Sequence, residues 1–273
     1  MIAVILAFIF NRSAGSTGLY TALIACVING VIVIPYMVPR LNLGQVSEEA
    51  LTLMSANVLY DNRTPEQLLA VIDEVNPDIL ILQEMSAHNQ RRAAALWKKF
   101  PFASDSYNGG LREILVFSQR PFDSIDYIVG DKPWRPEAQI KLTFNGTQIT
   151  ILGIHPKAPM SASRFARRNA ELDQIAEKIA TLESPIIVAG DMNISPWTPI
   201  FRSFLRRAGL FDGRRRHGLN FSWSLNGNFP VIPIDHILYR GVNVHSFTSG
   251  PDTGSDHRPV IIEFSVPSAE NQT

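Results

Sequence analysis

The chain has 273 residues, with 25 Lys plus Arg against 25 Asp plus Glu, so its formal net charge is zero. That balance excludes a protein that grips long nucleic acid through a uniformly basic surface; any basic face must be local. The single cysteine, Cys26, excludes an internal disulfide framework and leaves the compartment open.

The first predicted element is a membrane span. Residues 1–38 hold one charged side chain, Arg12, and Leu19 to Val38 has none over about the 20 residues that cross a bilayer. A cleaved signal peptide and a buried core helix are the rivals. The run is long for a signal core and lacks a clean small-x-small cleavage site, which favours a retained anchor. Met1 to Phe10 is too short to span alone and is expected to be a remnant of a first span or a membrane-surface segment. Arg12 and Arg40 flank Leu19 to Val38, so the positive-charge rule does not orient it. A single N-terminal anchor before a soluble domain is a common export arrangement and points to an extracytoplasmic domain. The expected organisation is an anchor over 1–40, a linker over 41–49, one globular domain over 50–267 and a tail over 268–273. No feature calls for an obligate protein partner.

From Leu51 to Ala56 an apolar-rich strand runs into Asn57. Thr64-Pro65-Glu66-Gln67 reads as a helix start with a capping box, and Leu68, Val71, Ile72 and Val75 fall on one helical face. Asn76-Pro77-Asp78 ends that helix, and the strand Ile79 to Leu82 runs into Gln83-Glu84. Ser86 to Phe100 reads as a second helix, Glu113 to Ser118 as a strand, and Ala138 to Ile154 as a hairpin turning at Asn145-Gly146 and ending before His155. Ser161 to Leu182 is a long helix with Phe165, Leu172, Ile175, Ile179 and Leu182 on its apolar side. Ile186 to Ala189 is a buried strand ending in Gly190-Asp191-Met192-Asn193, followed by a helix over Trp197 to Ala208. Ile232 to Ile234 leads into Asp235-His236, and Ser255-Asp256-His257 precedes the strand Val260 to Phe264. If Met192 stays extended, Asp191 and Asn193 point to one face. Alternating helices and strands followed by hairpins favour an α/β (α+β) four-layer sandwich, in which helices flank two mixed sheets.

Asn57, Glu84, His155, Asp191, Asn193, Asp235 and Asp256-His257 thus all lie at strand ends, where a rigid sheet positions site residues. In order and spacing, these groups from about Leu51 to Val266 resemble the endonuclease/exonuclease/phosphatase superfamily, GDxN and SDH being the specific motifs. The resemblance implies a fold like that of pancreatic deoxyribonuclease and cleavage of phosphate esters with Mg²⁺ or Mn²⁺. Leu59 stands where the abasic-site nucleases carry an acid, and His155 where they carry tyrosine, so a DNA-repair role is disfavoured. His155 is closer to the deoxyribonuclease, sphingomyelinase and phosphatase branches.

Carboxylate oxygen suits Mg²⁺, so Glu84 is the expected metal ligand, with Asp256 and Asn57 beside it. His257 is the expected general base with Asp235 fixing its tautomer, the same roles the resemblance implies. Asp191 is expected to orient the attacking water, and Asn193 and His155 to donate to the non-bridging oxygens. Lys157 either contacts substrate phosphate or is a solvated loop lysine. His236 should point away from the site as a packed or surface histidine. Arg164/Arg167/Arg168 share a helix face that is expected to be solvated, and Arg214-Arg215-Arg216 reads as a surface loop. Trp197 is expected to pack. The expectation is a membrane-tethered phosphodiesterase acting on nucleic-acid or phospholipid-type esters, with the lipid bilayer and a phosphate-ester substrate as partners. A non-catalytic anchored binding module and a small-molecule phosphomonoesterase are the alternatives.

Overall fold

Strands with unbroken apolar runs need cover on both faces. The computed structural model describes residues 2–39, 49–104, 113–128, 137–224 and 231–267; the linker and tail fall almost wholly outside them. Helix α1 (Ile2–Met37) leads the chain. Then come β1 (Ala50–Asn57), α2 (Pro65–Val75), β2 (Ile79–Gln83), α3 (Ala87–Arg92), α4 (Leu96–Lys99), β3 (Phe102–Ala103), β4 (Ile114–Ser118) and β5 (Ser124–Ile128). β6 (Glu137–Phe144), β7 (Thr147–Gly153), α5 (Ala162–Ala180), β8 (Ile186–Asp191) and α6 (Pro199–Ala208) follow. The last strands are β9 (Phe211–Asp212), β10 (Asp235–Arg240), β11 (Asn243–Ser249) and β12 (Val260–Ser265).

One six-stranded sheet has the order β11-β12-β1-β2-β4-β3 and the other β5-β6-β7-β8-β10-β9. Both are mixed. In the first, β1 runs parallel to β2 and antiparallel to β12; in the second, β8 runs parallel to β7 and antiparallel to β10. Because side chains alternate along each strand, one face of each sheet meets the other sheet and the second face meets helices. Leu53, Ile81, Ile151, Ile187, Ile237 and Ile262 fill the space between the sheets. Leu80, Leu82 and Phe117 pack under α2, α3 and α4, while Leu152, Val188 and Leu238 pack under α5 and α6. This is the four-layer α/β arrangement expected from the sequence.

The hairpin turn is at Asn145-Gly146, both left-handed at φ 49° and 77°, which matches the right-handed twist of the strands it joins. Several local expectations fail. No side-chain bond closes the capping box at Thr64; the Gln67 amide donates to the Thr64 carbonyl instead. Ser86 to Phe100 is two short helices, α3 and α4. The buried Asn89 carboxamide ties α3 to the Leu59 and Tyr60 carbonyls, while α4 turns Leu96 and the following Phe100 into the core. Phe165 is exposed rather than packed. Asp235 opens β10 rather than ending a strand.

Met1 to Phe10 is not a separate segment: residues 2–37 form one 36-residue helix. Its Tyr20–Met37 window is apolar and long enough to cross a membrane, a property a signal sequence shares. Its last turn leaves backbone carbonyls without intrahelical donors. The Arg216 amide bonds the Pro35 carbonyl (3.1 Å) and the Gly218 amide bonds that of Tyr36 (2.8 Å), so the helix end is seated on the loop after β9.

Candidate active site at the seam of the two sheets

Register brings the groups together. Asn57 and Gln83 are partners across β1 and β2, which sets Glu84 one residue beyond Asn57's neighbour, in a left-handed conformation with φ 60°. The Glu84 carboxylate accepts from Asn57 Nδ2 and from the Tyr60 amide, both at 3.0 Å. Asn57 Nδ2 also lies 3.2 Å from Asp191 Oδ2. One carboxamide therefore joins the first sheet to the second.

Asp191 and Asp235 are direct partners in the antiparallel β8–β10 pair. Asp235 accepts from His257 Nδ1 at 2.8 Å, and His257 Nε2 lies 3.7 Å from Asp191 Oδ2. Ser255 fixes this approach: its hydroxyl donates to the Asn57 carbonyl (2.8 Å) and accepts the His257 amide (3.1 Å). Asp256 Oδ2 accepts from Trp223 Nε1 (3.0 Å), whereas its buried Oδ1 has no hydrogen-bond partner among the described residues and lies 4.0 Å from His257 Nε2.

His155, just past β7, directs Nε2 to within 3.5 Å of Asp191 Oδ2 and 3.7 Å of Glu84 Oε1. Its Nδ1 lies 2.8 Å from Glu113 Oε1. The site thus holds a second His–carboxylate pair, which sequence reasoning missed. In the sequence Glu113 stands only as the first residue of an expected strand. Its signal was an acid directly ahead of the apolar run Ile114 to Phe117, the mirror of the other strand-end acids.

Met192 does not continue the strand. Asn193 turns left-handed at φ 52°, and its amide (2.8 Å) and Nδ2 (3.2 Å) fold back onto the two Asp191 oxygens. Nδ2 also donates to the Pro156 carbonyl at 3.1 Å. The Asn193 protons expected on substrate are thus engaged within the protein. Arg168, expected on a solvated face, is buried and donates to the Asn193 carbonyl; Arg164 and Arg167 are exposed. Arg214, expected in a surface loop, has no exposure at all. His236 is the packed histidine, facing Ile194 O and Arg214. Trp197 packs edge-on against Phe221. Lys157 is half-buried two residues past His155, its amide held by Glu171.

Burial alone would push His155 down, but Asp191 and Glu113 outweigh it and hold the imidazolium to about 9. Burial of His257 is outweighed by Asp235 and Asp191, which hold it to about 10. Burial of Asp191 is outweighed in turn by the His257 and His155 charges, which hold its carboxyl below the ordinary range. Burial, reinforced by Arg214, keeps His236 neutral. A histidine raised on folding contributes stability complete below its unfolded value of 6.5 and lost as pH rises through its folded value. The depressed Asp191 contributes stability present above 3.8 and lost as pH falls. In EDTA, the urea midpoint is therefore expected to be highest between these two limits, to fall below pH ~4 and to fall from pH ~7 toward pH ~10. A midpoint still rising at pH 9 would contradict the charge assignment.

Asp191, Asp235 and His257 each bring a ligand-type atom within 4.8 Å of the others. Asp235 Oδ2 accepts from His257 Nδ1 and Asp191 accepts from two asparagines, which ties this trio into a hydrogen-bonded network, while Asp235 Oδ1 has no hydrogen-bond partner among the described residues. Glu84 and Asp256 bring the carboxylate oxygens that a hard divalent ion takes, and Asp256 Oδ1 has no hydrogen-bond partner among the described residues.

The sequence profile of the endonuclease/exonuclease/phosphatase family matches residues 54–257. A UPF0294 protein of Vibrio parahaemolyticus is 23% identical over 230 residues, covering 79% of this chain and 78% of that one. One from Yersinia pseudotuberculosis is 32% identical over 96 residues, 34% of this chain and 35% of that one. Among solved structures, TDP2 of D. rerio with a single-strand DNA product superposes with TM-score 0.63 at 19% identity, over 80% of this chain and 100% of that one. Sphingomyelinase C of Streptomyces griseocarneus superposes with TM-score 0.55 at 16% identity, over 80% and 100%. With the two mixed sheets in place and the strand-end acids and histidines gathered at their seam, the chain belongs to the endonuclease/exonuclease/phosphatase family.

Proposed function

We propose that the protein is a divalent-metal-dependent phosphodiesterase tethered to a membrane by α1. The observation that carries this is the buried Asp235–His257 pair, 2.8 Å apart, aimed across the seam at Asp191. His257 takes the proton of the attacking water, and Asp235 fixes the ring so that Nε2 faces the site. Asp191 orients that water. His155, held protonated by Asp191 and Glu113, donates from Nε2 to the phosphoryl oxygens as charge builds there. Asn193 keeps Asp191 in place. Glu84, Asp256 and Asn57 would hold Mg²⁺ or Mn²⁺. The bound ion would neutralise the phosphoryl oxygens and ease water ionisation. A cation held at Asp256 would also favour loss of the His257 proton, leaving that ring free to accept another. Lys157 contacts the outer phosphate.

The similar solved structures include a protein bound to a DNA product and a sphingomyelinase, so both nucleic-acid and phospholipid-type diesters belong in the assay. An anchor followed by a soluble domain supports an extracytoplasmic site. The test is hydrolysis by the full chain in detergent of bis-p-nitrophenyl phosphate, p-nitrophenyl phosphate, plasmid DNA and mixed phospholipids. EDTA is expected to abolish turnover and Mg²⁺ or Mn²⁺ to restore it. Glu84→Gln is expected to raise the Mg²⁺ needed for half-maximal rate at least tenfold, because a carboxamide carries no charge to hold a hard cation. Preference for the monoester would replace the diesterase reading, and turnover indifferent to EDTA would sink the metal role.

A further inference from the structure

Arg214 is a guanidinium with no solvent exposure, one layer behind the reacting groups. Its Nη2 donates to the backbone carbonyl of Asp235. Its Nη1 meets His236 Nδ1 at 3.1 Å and Asp212 Oδ1 at 3.7 Å, while the plane stacks 5.0 Å over the Phe247 ring. His236 carries the hold onward through Nε2 to Ile194 O (2.8 Å), beside Asn193. The Arg214 amide caps Asp212 Oδ1 at 3.0 Å.

On its far side this cluster is closed by the end of α1. Tyr36 is 8% exposed, and the amides of Arg216 and Gly218, in the same loop as Arg214, bond the carbonyls of Pro35 and Tyr36. A buried charge persists only with its partners in place, so removing the cover loosens the whole group.

Taking Asp235–His257 as the proton-accepting pair of the hydrolase proposed above, we infer that Arg214 is a positioning residue for that pair, and that the seated end of α1, with its Tyr36 buried, holds Arg214 in place through the loop whose Arg216 and Gly218 amides it binds. The apolar helix is then part of the catalytic architecture as well as a tether. Arginine suits the post because a planar fork reaches His236 and the Asp235 carbonyl together, whereas an ammonium is a single point donor on a flexible stem. A shift of about 1 Å in Asp235 is passed to His257, and misplacement of that size costs about a hundredfold in rate.

The test uses the full chain in detergent. Arg214→Met is expected to lower kcat about a hundredfold with KM changed less than threefold, and Arg214→Lys to recover part of the loss. Tyr36→Ala is expected to lower kcat about tenfold although it lies outside the site, with Tyr36→Phe nearer to the parent. An independent readout is the ring N–H proton of His257 hydrogen-bonded to Asp235, a downfield resonance identified by its absence in His257→Gln. It should weaken in Arg214→Met and Tyr36→Ala while circular dichroism stays native. Parent-like kcat and an unchanged resonance in folded Arg214→Met overturn the inference. If Arg214→Met does not fold, Arg214→Lys and Tyr36→Ala decide by the same two readouts. If the parent hydrolyses nothing, the phosphodiesterase reading fails, and the resonance still reports whether Arg214 and α1 position His257.

Discussion

His257→Ala is expected to lower kcat for bis-p-nitrophenyl phosphate by about a thousandfold, within the range that loss of a positioned general base produces. The ring is buried, bonded through Nδ1 to Asp235 and directed through Nε2 toward Asp191. Removing it strands the Asp235 carboxylate, whose Oδ1 already has no hydrogen-bond partner among the described residues, and stability should fall by about 1–3 kcal/mol. Circular dichroism and a urea curve separate that cost from the loss of rate. Groups that act as a unit are not additive. The double variant Asp235→Ala/His257→Ala is therefore expected to be hardly slower than His257→Ala alone. A rate within tenfold of the parent in folded His257→Ala would remove this histidine from the chemistry, and a double variant a hundredfold slower than the single would separate the two roles.

Gly190→Ala is expected to cost about 3–5 kcal/mol, enough to unfold a marginally stable domain. A Cβ at this position would stand 1.9 Å from the carbonyl oxygen of Ile154, and the backbone there has φ 147°, a value L residues rarely adopt. The obstructing atom is main chain in the neighbouring segment, continuous with β7, so no rotamer change relieves the clash. Moving that segment would carry His155 with it. A urea midpoint or thermal transition close to the parent would show that the strands part more readily than their packing implies. If the variant does fold, its residual activity measures how far His155 and Asp191 have been pushed apart.

Much of the fold was legible because the strands advertise themselves. Runs such as Ile79 to Leu82 and Ile186 to Ala189 are buried on both faces and need no alternation to be recognised, and Asn145-Gly146 named its own turn. The site was legible as far as residue type and strand end could carry it: Asn57, Glu84, His155, Asp191, Asp235 and His257 do meet. What was hidden depends on which atom a side chain spends on a neighbour. Asn193 looked like a donor to substrate, yet a left-handed backbone turns its amide onto Asp191. Arg168 and Arg214 looked like solvated charge because sequence gives no hint that a carbonyl waits for each of them inside. Glu113 could not be paired with His155 across 42 residues without knowing that the start of β4 and the end of β7 lie on the same side of the sandwich. Ser86 to Phe100 has helical composition throughout, and the break after α3 follows from a tertiary bond of Asn89 that no local propensity encodes.

The cluster is divided between two sheets: Asn57, Glu84, Asp256 and His257 belong to the first, and His155, Asp191 and Asp235 to the second. The bonds that join these halves are side-chain contacts, from Asn57 to Asp191 and from His257 to Asp235, and the sheets themselves are held in place by apolar packing, which has no direction of its own. Sliding of one sheet over the other by a fraction of an ångström would leave every strand hydrogen bond intact and still spoil the alignment of base, water and phosphate. Heat inactivation should accordingly run ahead of melting, with turnover fading at temperatures where the far-ultraviolet spectrum is still that of the native protein.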